Sequence, residues 1–170
     1  YYKRLRMANP EMSRFKDLIL YNLEAGEAVL TDNNDIRVYT DGKEKFRALI
    51  EEMKQAKRYI HMQYYIIRND ELWQEVEKVL IQKAREGVEV RVLFDSMGCR
   101  TMKNRDWERL EKEGIQVAEF FPALLGQLQL RVNYRNHRKI VVIDGRVGFV
   151  GGFNVGREYL GRDKKFGYWR

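Results

Sequence analysis

The sequence predicts an α/β fold, with a mixed, largely parallel sheet flanked by helices on both faces. Between residues 43 and 121, segments with apolar residues at helical spacing alternate with short segments rich in β-branched and aromatic residues. This alternation is typical of parallel strands joined by right-handed helical crossovers. Two later apolar runs, 140–143 and 147–150, stand on either side of Asp144-Gly145, a pair typical of a tight turn between neighbouring strands.

Residues 1–27 are predicted to be a basic and amphipathic segment that precedes the main domain. Residues 9–11, Asn-Pro-Glu, offer an N-cap, a proline at the first helical position and an acid in the first turn, and Gly26 offers a helix end. A docked amphipathic helix and a helix on a membrane surface both fit this segment, because basic residues flank its apolar face. Residues 29–39 then predict a small hairpin with a polar turn.

Between residues 40 and 121, the main domain (residues 28–170) is predicted to hold three helices and three strands. Asp41 and Asp70 are placed to open two of the helices, and Gly87 and Gly114 to end two of them. The predicted helices cover residues 43–57, 71–86 and 103–113, and the predicted strands cover residues 58–68, 88–95 and 115–121.

The charge balance favours anionic partners. Thirty-two Lys and Arg residues against 25 Asp and Glu residues give a net charge of +7, which suits lipid headgroups, nucleic acid or a phosphorylated substrate. The single cysteine, Cys99, excludes an internal disulfide. With one cysteine and two histidines, we expect no metal centre and no cofactor.

The chain lacks the apolar run of about 20 residues that a membrane-spanning helix needs, and its start does not resemble a signal peptide. We therefore expect the chain as given to be soluble. Because it starts at Tyr1 rather than at a methionine and stops at Arg170 without a helix cap, we also expect it to be a piece of a longer protein.

His137 and Lys139 are the residues best suited to chemistry on phosphate. They stand two apart just before the apolar run 140–143, and alternate residues of an extended strand point to the same face. We expect this run to be buried between helical layers, which puts the pair at the end of a central strand, where open α/β sheets carry their sites. A neutral imidazole can attack phosphorus while an ammonium stabilises charge on the phosphate oxygens.

The candidate site also includes three residues that follow the predicted strand 147–150. Gly151 and Gly152 allow backbone to come close to a ligand, and Asn154 contributes a side-chain amide. The other histidine, His61, is interpreted as structural, because no lysine stands two residues after it.

Residues 122–135 predict a loop that is too long for a simple connection and lies immediately before His137. It contains four leucines, and two interpretations remain open: a buried loop core, or a lip of the active site that contacts acyl chains. Arg135, at the end of the loop, is a candidate phosphate ligand.

In order, these residues form the pattern H-x-K-x4-D-x6-G-G-x-N, which resembles the signature of the phospholipase D superfamily. The resemblance implies that His137 is the nucleophile or its acid/base partner and that Lys139 and Asn154 bind phosphate. It groups Asp144 with the catalytic motif, as a residue that fixes the turn rather than one that touches substrate. Gly152 departs from the many members that carry serine there, which removes a hydroxyl from this position.

From about residue 28 to the end, the chain is similar to the first catalytic half of bacterial cardiolipin synthases of the phospholipase D type. The similarity is carried by residues 59–67, 93–98, 133–139 and 148–156. It implies a phospholipase D-like domain, one half of a pseudo-two-fold pair, that helps to convert two phosphatidylglycerol molecules into cardiolipin and glycerol. It also implies membrane helices before this region, a second catalytic half after it, and a place at the cytoplasmic face of the cell membrane.

Three functions of different classes stay open. The first is a phosphatidyl transferase that works through a phosphatidyl-histidine intermediate. The second is a single-motif phosphodiesterase or nuclease that acts as a homodimer, which the charge of +7 also suits. The third is a non-catalytic module that binds anionic membranes. The leucine-rich loop favours lipid, so we expect phosphatidylglycerol, a membrane surface and the C-terminal half as partners and expect no nucleic acid.

Overall fold

The computed structural model describes residues 10–31, 33–121, 135–165 and 167–168. The chain divides into two compact units, residues 1–38 and residues 39–170. Within the described residues, no helix combines the length and the apolar character that crossing a membrane requires.

The first unit is built mainly from one helical segment. A 3-10 helix at Pro10–Phe15 leads into α1, Lys16–Gly26, and Glu27 follows α1 in the left-handed conformation. The predicted amphipathic helix is therefore present, with its first turns in 3-10 geometry. Ile19 is buried, whereas Leu18 is exposed.

The predicted hairpin at residues 29–39 is wrong. Residues 29–31 and 33–39 form no strand, and Val29, Ile36 and Val38 are largely exposed. A two-stranded hairpin is marginally stable in water unless a further surface covers one of its faces. Among the described residues, no surface buries the short apolar runs of this segment, so their alternating pattern is not enough to form two paired strands.

In its described residues, the second unit contains three helices and five strands. The element ends lie within a few residues of the predicted ones, and the largest difference is the strand predicted at 58–68, which is shorter. The helices are α2 (Gly42–Lys54), α3 (Glu71–Arg85) and α4 (Asn104–Lys112), the strands are β1 (Tyr59–Tyr64), β2 (Glu89–Asp95), β3 (Gln116–Phe120), β4 (Ile140–Ile143) and β5 (Val147–Val150), and a 3-10 helix follows at Arg157–Leu160.

Side-chain caps fix the starts of two helices, as predicted. Asp41 Oδ1 accepts a hydrogen bond from the Glu44 amide ahead of α2. Asp70 Oδ1 accepts from the amides of Leu72 and Trp73 ahead of α3. Each carboxylate satisfies amides that have no partner within the helix and lies at the positive end of the helix dipole.

The strand order is β3-β2-β1-β4-β5. β1, β2 and β3 are parallel, β4 runs antiparallel to β1, and β5 runs antiparallel to β4. Four of the five strands therefore run in one direction. The predicted class, a mixed α/β sheet with flanking helices, is confirmed.

One face of this sheet carries the hydrophobic core. Along β1, Ile60, Met62 and Tyr64 are buried, whereas His61 and Gln63 on the opposite face are partly exposed. All three helices contribute to the same core cluster, through residues that include Phe46, Leu49, Trp73, Val76, Leu80, Trp107 and Leu110. Among the described residues of the second unit, α2, α3 and α4 pack on one side of the sheet and do not supply the cover that we predicted for its second face.

Lys45 is a buried cation within this core. Its Nζ lies 2.7 Å from the Tyr64 hydroxyl and 3.8 Å from the centroid of the Phe46 ring. Burial lowers the pKa of Lys45 from its ordinary 10.5 to about 7. Between these two pH values the unfolded chain holds a proton that the folded chain has released, so folding stability rises as pH increases through this window.

We expect the double variant Lys45→Met/Tyr64→Phe, which replaces both polar partners with apolar groups, to be more stable than the parent at pH 7 by about 1 kcal/mol or more. This advantage should shrink as pH rises towards 10, because the parent then releases the Lys45 proton. Tyr64→Phe alone should destabilise the chain, since it leaves Lys45 without its partner. Urea unfolding at a series of pH values measures these differences. Lys43→Met, an exposed site on the same helix, is the control, and a stability difference that is constant across the pH series would contradict the assignment.

Candidate active site

The segment before β4 brings together the two residues predicted to act on phosphate. Lys139 Nζ lies 2.9 Å from Nδ1 of His137 and donates a hydrogen bond to the His137 carbonyl oxygen at 2.7 Å. His137 is exposed, while Lys139 is only 6% exposed. The pair therefore consists of an exposed imidazole in contact with a buried amine.

The register of β4 explains why the pair lies at the edge of the sheet. β4 runs antiparallel to β1, and the ladder ends with Gln63 opposite Ile140. The residues that precede Ile140 therefore lie beside those that follow Gln63, at the carboxyl end of β1. Open α/β sheets place their ligands at the carboxyl ends of their parallel strands, so the pair lies where the sequence predicts it.

The electrostatics of the pair determine which ring nitrogen carries the proton. Burial lowers the pKa of Lys139. A charged lysine can only donate hydrogen bonds, so Nδ1 of His137 acts as acceptor and the ring proton resides on Nε2. In this arrangement His137 has the form of a proton donor rather than that of a nucleophile at Nε2.

Tyr65 was not predicted as a site residue, yet it contacts both members of the pair. Its ring centroid is 4.5 Å from that of His137, with the ring planes tilted by 52°. Lys139 Nζ lies 5.3 Å from the same centroid. A sequence signal existed: Tyr65 directly follows the last residue of a central parallel strand, a position that often carries site residues.

Asp95 is a second residue that the sequence interpretation did not assign to the site. It is fully buried at the carboxyl end of β2. Its Oδ1 accepts from the Met97 amide at 2.9 Å, and its Oδ2 accepts from the Asn136 amide at 3.0 Å. This carboxylate therefore ties the backbone immediately before His137 to the end of β2.

Asn154 is buried close to the same edge, but its amide is engaged within the protein. Its Oδ1 accepts from the Ile66 amide at 3.2 Å, and its Nδ2 donates to the Tyr159 hydroxyl at 2.7 Å. Asn154 therefore links the chain where it leaves β1 to Tyr159. For Asn154 to bind phosphate, as the resemblance implies, Nδ2 would exchange the Tyr159 hydroxyl for a phosphate oxygen, and this role stays a prediction.

Gly151 and Gly152 are exposed next to the pair. The Gly151 amide donates to the Lys139 carbonyl oxygen at 3.4 Å. A Cβ added to either glycine would meet none of the described atoms within 4 Å, so packing among the described residues does not require glycine here. The prediction that both glycines admit a ligand close to the backbone is consistent with this open space.

Asp144, which the motif groups with the catalytic residues, lies at the opposite end of β4 and not with the pair. Its carboxylate accepts hydrogen bonds from the amides of Lys57, Arg58 and Tyr59 at 2.8–2.9 Å. The bond from Tyr59, with those from the other two amides, lowers the pKa of Asp144. These contacts make Asp144 an anchor of the turn, as the sequence interpretation of this residue expects, and its grouping with the catalytic motif stays a prediction. The stabilising effect of this anchor is lost as pH falls through the lowered pKa of Asp144.

Arg135 and His61 complete the predicted set. Arg135 is partly buried, with its guanidinium 5.1 Å from the centroid of the Phe121 ring, and its role as a phosphate ligand stays a prediction. The rest of the predicted loop, residues 122–134, lies outside the described residues.

His61 lies within β1, where its Nε2 is 2.7 Å from Glu89 Oε1 and its ring stacks on Tyr59, as expected of a structural histidine. The described residues contain no cluster of side chains that could hold a metal ion.

The sheet and helices just described match a known fold. NucT from Helicobacter pylori superposes on this chain with a TM-score of 0.54, over 72% of this chain and 74% of that protein. The two sequences are 17% identical, so the likeness concerns the fold alone.

Sequence comparison defines the family. The chain belongs to the cardiolipin synthase, phospholipase D-like domain family, whose model matches residues 49–165. It is 50% identical over 161 residues to a cardiolipin synthase of Oceanobacillus iheyensis and 52% identical over 155 residues to the major cardiolipin synthase ClsA of Bacillus subtilis. These matches cover 95% and 91% of this chain but 33% and 32% of the relatives, so the chain spans about a third of their length.

We expect Asp144→Ala to lower the free energy of unfolding by about 2 to 3 kcal/mol, because it removes the acceptor of three amides and places alanine in a left-handed backbone conformation with φ of 56°. Asp144→Asn is the matched control, since asparagine tolerates this conformation and keeps one acceptor oxygen. Its loss should be about half as large. Urea unfolding measures both, and a negligible loss in Asp144→Ala would show that the hydrogen bonds to the carboxylate matter little.

Proposed function

We propose that this chain forms the first part of the active site of a phosphatidyl transferase that makes cardiolipin and glycerol from two phosphatidylglycerol molecules. The family match and the relatives named cardiolipin synthase support this proposal. The observation that carries it is the contact of Lys139 Nζ with His137 Nδ1 at the carboxyl edge of the sheet. This contact places the exposed His137 imidazole next to a cation that suits phosphate.

In the first step, the His137 imidazole attacks the phosphorus of one phosphatidylglycerol. A P–N bond forms, the P–O bond to the terminal glycerol breaks, and glycerol leaves after taking a proton from an acid. Lys139, Asn154 and Arg135 are proposed to bind the phosphate oxygens and to stabilise the negative charge of the transition state. Gly151 and Gly152 leave room for the lipid headgroup.

Lys139 couples substrate binding to activation of the nucleophile. While its ammonium donates to Nδ1, the ring proton stays on Nε2. An arriving phosphate attracts the ammonium away from the ring, so that Nδ1 can carry the proton and the Nε2 lone pair becomes available. The lowered pKa of Lys139 reflects burial that a bound phosphate anion would offset.

In the second step, a hydroxyl of the second phosphatidylglycerol attacks the phosphatidyl-histidine. A new P–O bond forms, the P–N bond breaks, and a base accepts the hydroxyl proton. One imidazole cannot occupy both sides of an in-line displacement, and His61 is engaged with Glu89 within β1. We therefore propose that a second acid/base group comes from the additional length seen in the relatives or from a second copy, and that this chain by itself is inactive.

We further propose that the protein acts at the cytoplasmic face of the cell membrane on anionic phospholipid. The net charge of +7 supports attraction to such a surface. In the first unit, Leu18 and Tyr21 of α1 are 58% and 68% exposed, which supplies apolar groups for insertion at the interface.

The first test replaces His137 in the full-length protein. We expect His137→Ala to reduce cardiolipin synthesis from labelled phosphatidylglycerol by at least about a thousandfold, because no P–N bond can form. Lys139→Ala should weaken both substrate binding and turnover. His61→Ala is the matched control and should keep nearly full activity, since His61 lies outside the site. Near-normal synthesis by His137→Ala would exclude the proposed nucleophile.

The second test measures membrane binding by the purified chain. We expect it to sediment with phosphatidylglycerol vesicles more than with phosphatidylcholine vesicles, and to be released by salt, because each lysine or arginine near the surface contributes about 1 kcal/mol. Leu18→Ser/Tyr21→Ser should weaken binding without changing the net charge. Equal sedimentation with both vesicle types at low salt, or tighter binding to duplex DNA, would contradict the lipid assignment.

A further inference from the structure

The ring of Tyr65 is the one aromatic group that the structure shows against both members of the candidate pair. It packs on the His137 ring with centroids 4.5 Å apart and lies 5.3 Å from Lys139 Nζ. The face of an aromatic ring attracts a cation at this distance, and tilted packing is a favoured geometry for two aromatic rings. Within the described part of the chain, the Tyr65 hydroxyl makes no hydrogen bond. Tyr65 therefore contacts His137 and Lys139 through its ring and not through its hydroxyl.

The backbone of Tyr65 is held by a loop that follows β2. A Cβ added to Gly98 would lie 1.9 Å from the Tyr65 carbonyl oxygen, so only glycine permits this approach. The neighbouring Cys99 is buried, and its Sγ lies 3.6 Å from the same carbonyl and accepts from the Ile67 amide at 3.2 Å. Burial raises the pKa of Cys99 to about 12, so the thiol serves packing rather than chemistry.

The same loop also fixes the segment that carries His137. Asp95, at the start of the loop, accepts from the Met97 amide and from the Asn136 amide. One buried carboxylate thus sets the position of the loop that holds Tyr65 and of the backbone next to His137. The positions of the Tyr65 ring and the His137 ring therefore both depend on Asp95.

We infer that Tyr65 is a positioning residue, whose ring holds the His137 imidazole and the Lys139 ammonium in the orientation from which they act. The kinetic consequence of this inference rests on the proposed function, whereas its geometric consequence does not. Because the hydroxyl takes no part, phenylalanine should serve as well as tyrosine. An apolar side chain of similar bulk without a π face should not.

The geometric test uses the ring-current shift of the histidine signals in NMR spectra. The chain has two histidines, and each packs on a tyrosine: His137 on Tyr65 and His61 on Tyr59, both with centroids 4.5 Å apart. Tyr65→Leu should move the imidazole signals of His137 and leave those of His61 in place, which also shows that the variant is folded. Tyr65→Phe should leave both sets in place. Tyr59→Leu is the matched control and should move only the His61 signals.

The kinetic test uses the same variants in the full-length protein, with phosphatidylglycerol vesicles as substrate. We expect Tyr65→Leu to lower kcat about 10- to 100-fold with little change in KM, because a misplaced catalytic group costs about this much. Tyr65→Phe and Tyr59→Leu should stay within about twofold of the parent.

Three results would overturn the inference. The first is an unmoved His137 signal in Tyr65→Leu, the second is kcat within about twofold of the parent in that variant, and the third is an equal loss in Tyr65→Phe, which would assign the role to the hydroxyl. A parent protein that makes no cardiolipin would refute the proposed function instead, and the His137 signal would then decide on Tyr65 alone.

Discussion

The antiparallel pairing of β4 with β1 is the constraint on which the candidate site depends. Parallel strands bring their carboxyl ends to one edge, and only a strand of opposite direction can bring its amino-terminal residues to that edge. His137 and Lys139 precede β4, so the reversal sets them beside the residues that leave β1. The carboxylate of Asp144 holds the far end of the same pairing, because it accepts three amides of the chain entering β1. A motif residue distant from the chemistry thus maintains the register that the chemistry needs.

At this edge, the buried side chains of Asp95 and Asn154 are hydrogen-bonded to backbone or to another side chain. Asp95 is bound to backbone amides, and Asn154 links the exit of β1 to Tyr159. A buried polar group without a partner is costly, so each of these contacts fixes a conformation as well as satisfying an atom. His137, in contrast, is exposed, which its proposed role requires.

The features that follow from local chemistry could be predicted from the sequence. Asp41 and Asp70 cap their helices, and the turn at Asp144-Gly145 has φ of 56° and 67°, as two adjacent residues of a hairpin turn require. The closeness of His137 and Lys139 follows from the two-residue period of extended backbone.

The features that depend on distant contacts could not be predicted. Tyr65 reaches His137 only because of the strand order, and Asp95 meets Asn136 across 41 positions of sequence. The hairpin at 29–39 failed for a related reason, because strand pattern forms a strand only where some other surface covers it. Sequence spacing shows which residues form one motif, but the register of neighbouring strands determines which residues are in contact.

Under the proposed function, one such unit supplies only part of the transfer reaction. A displacement at phosphorus needs a nucleophile on one side and a proton donor for the leaving oxygen on the other. Lys139 cannot easily serve both His137 and the far side of the phosphate, because its amine is held by the His137 carbonyl and ring nitrogen. Asn154 has no proton to give at neutral pH, and the carboxylate of Asp95 is buried against backbone amides. Of these four side chains, His137 is the one exposed group that can act as a general acid or base. The proposed chemistry requires a second group of this kind to approach the phosphate from the opposite direction.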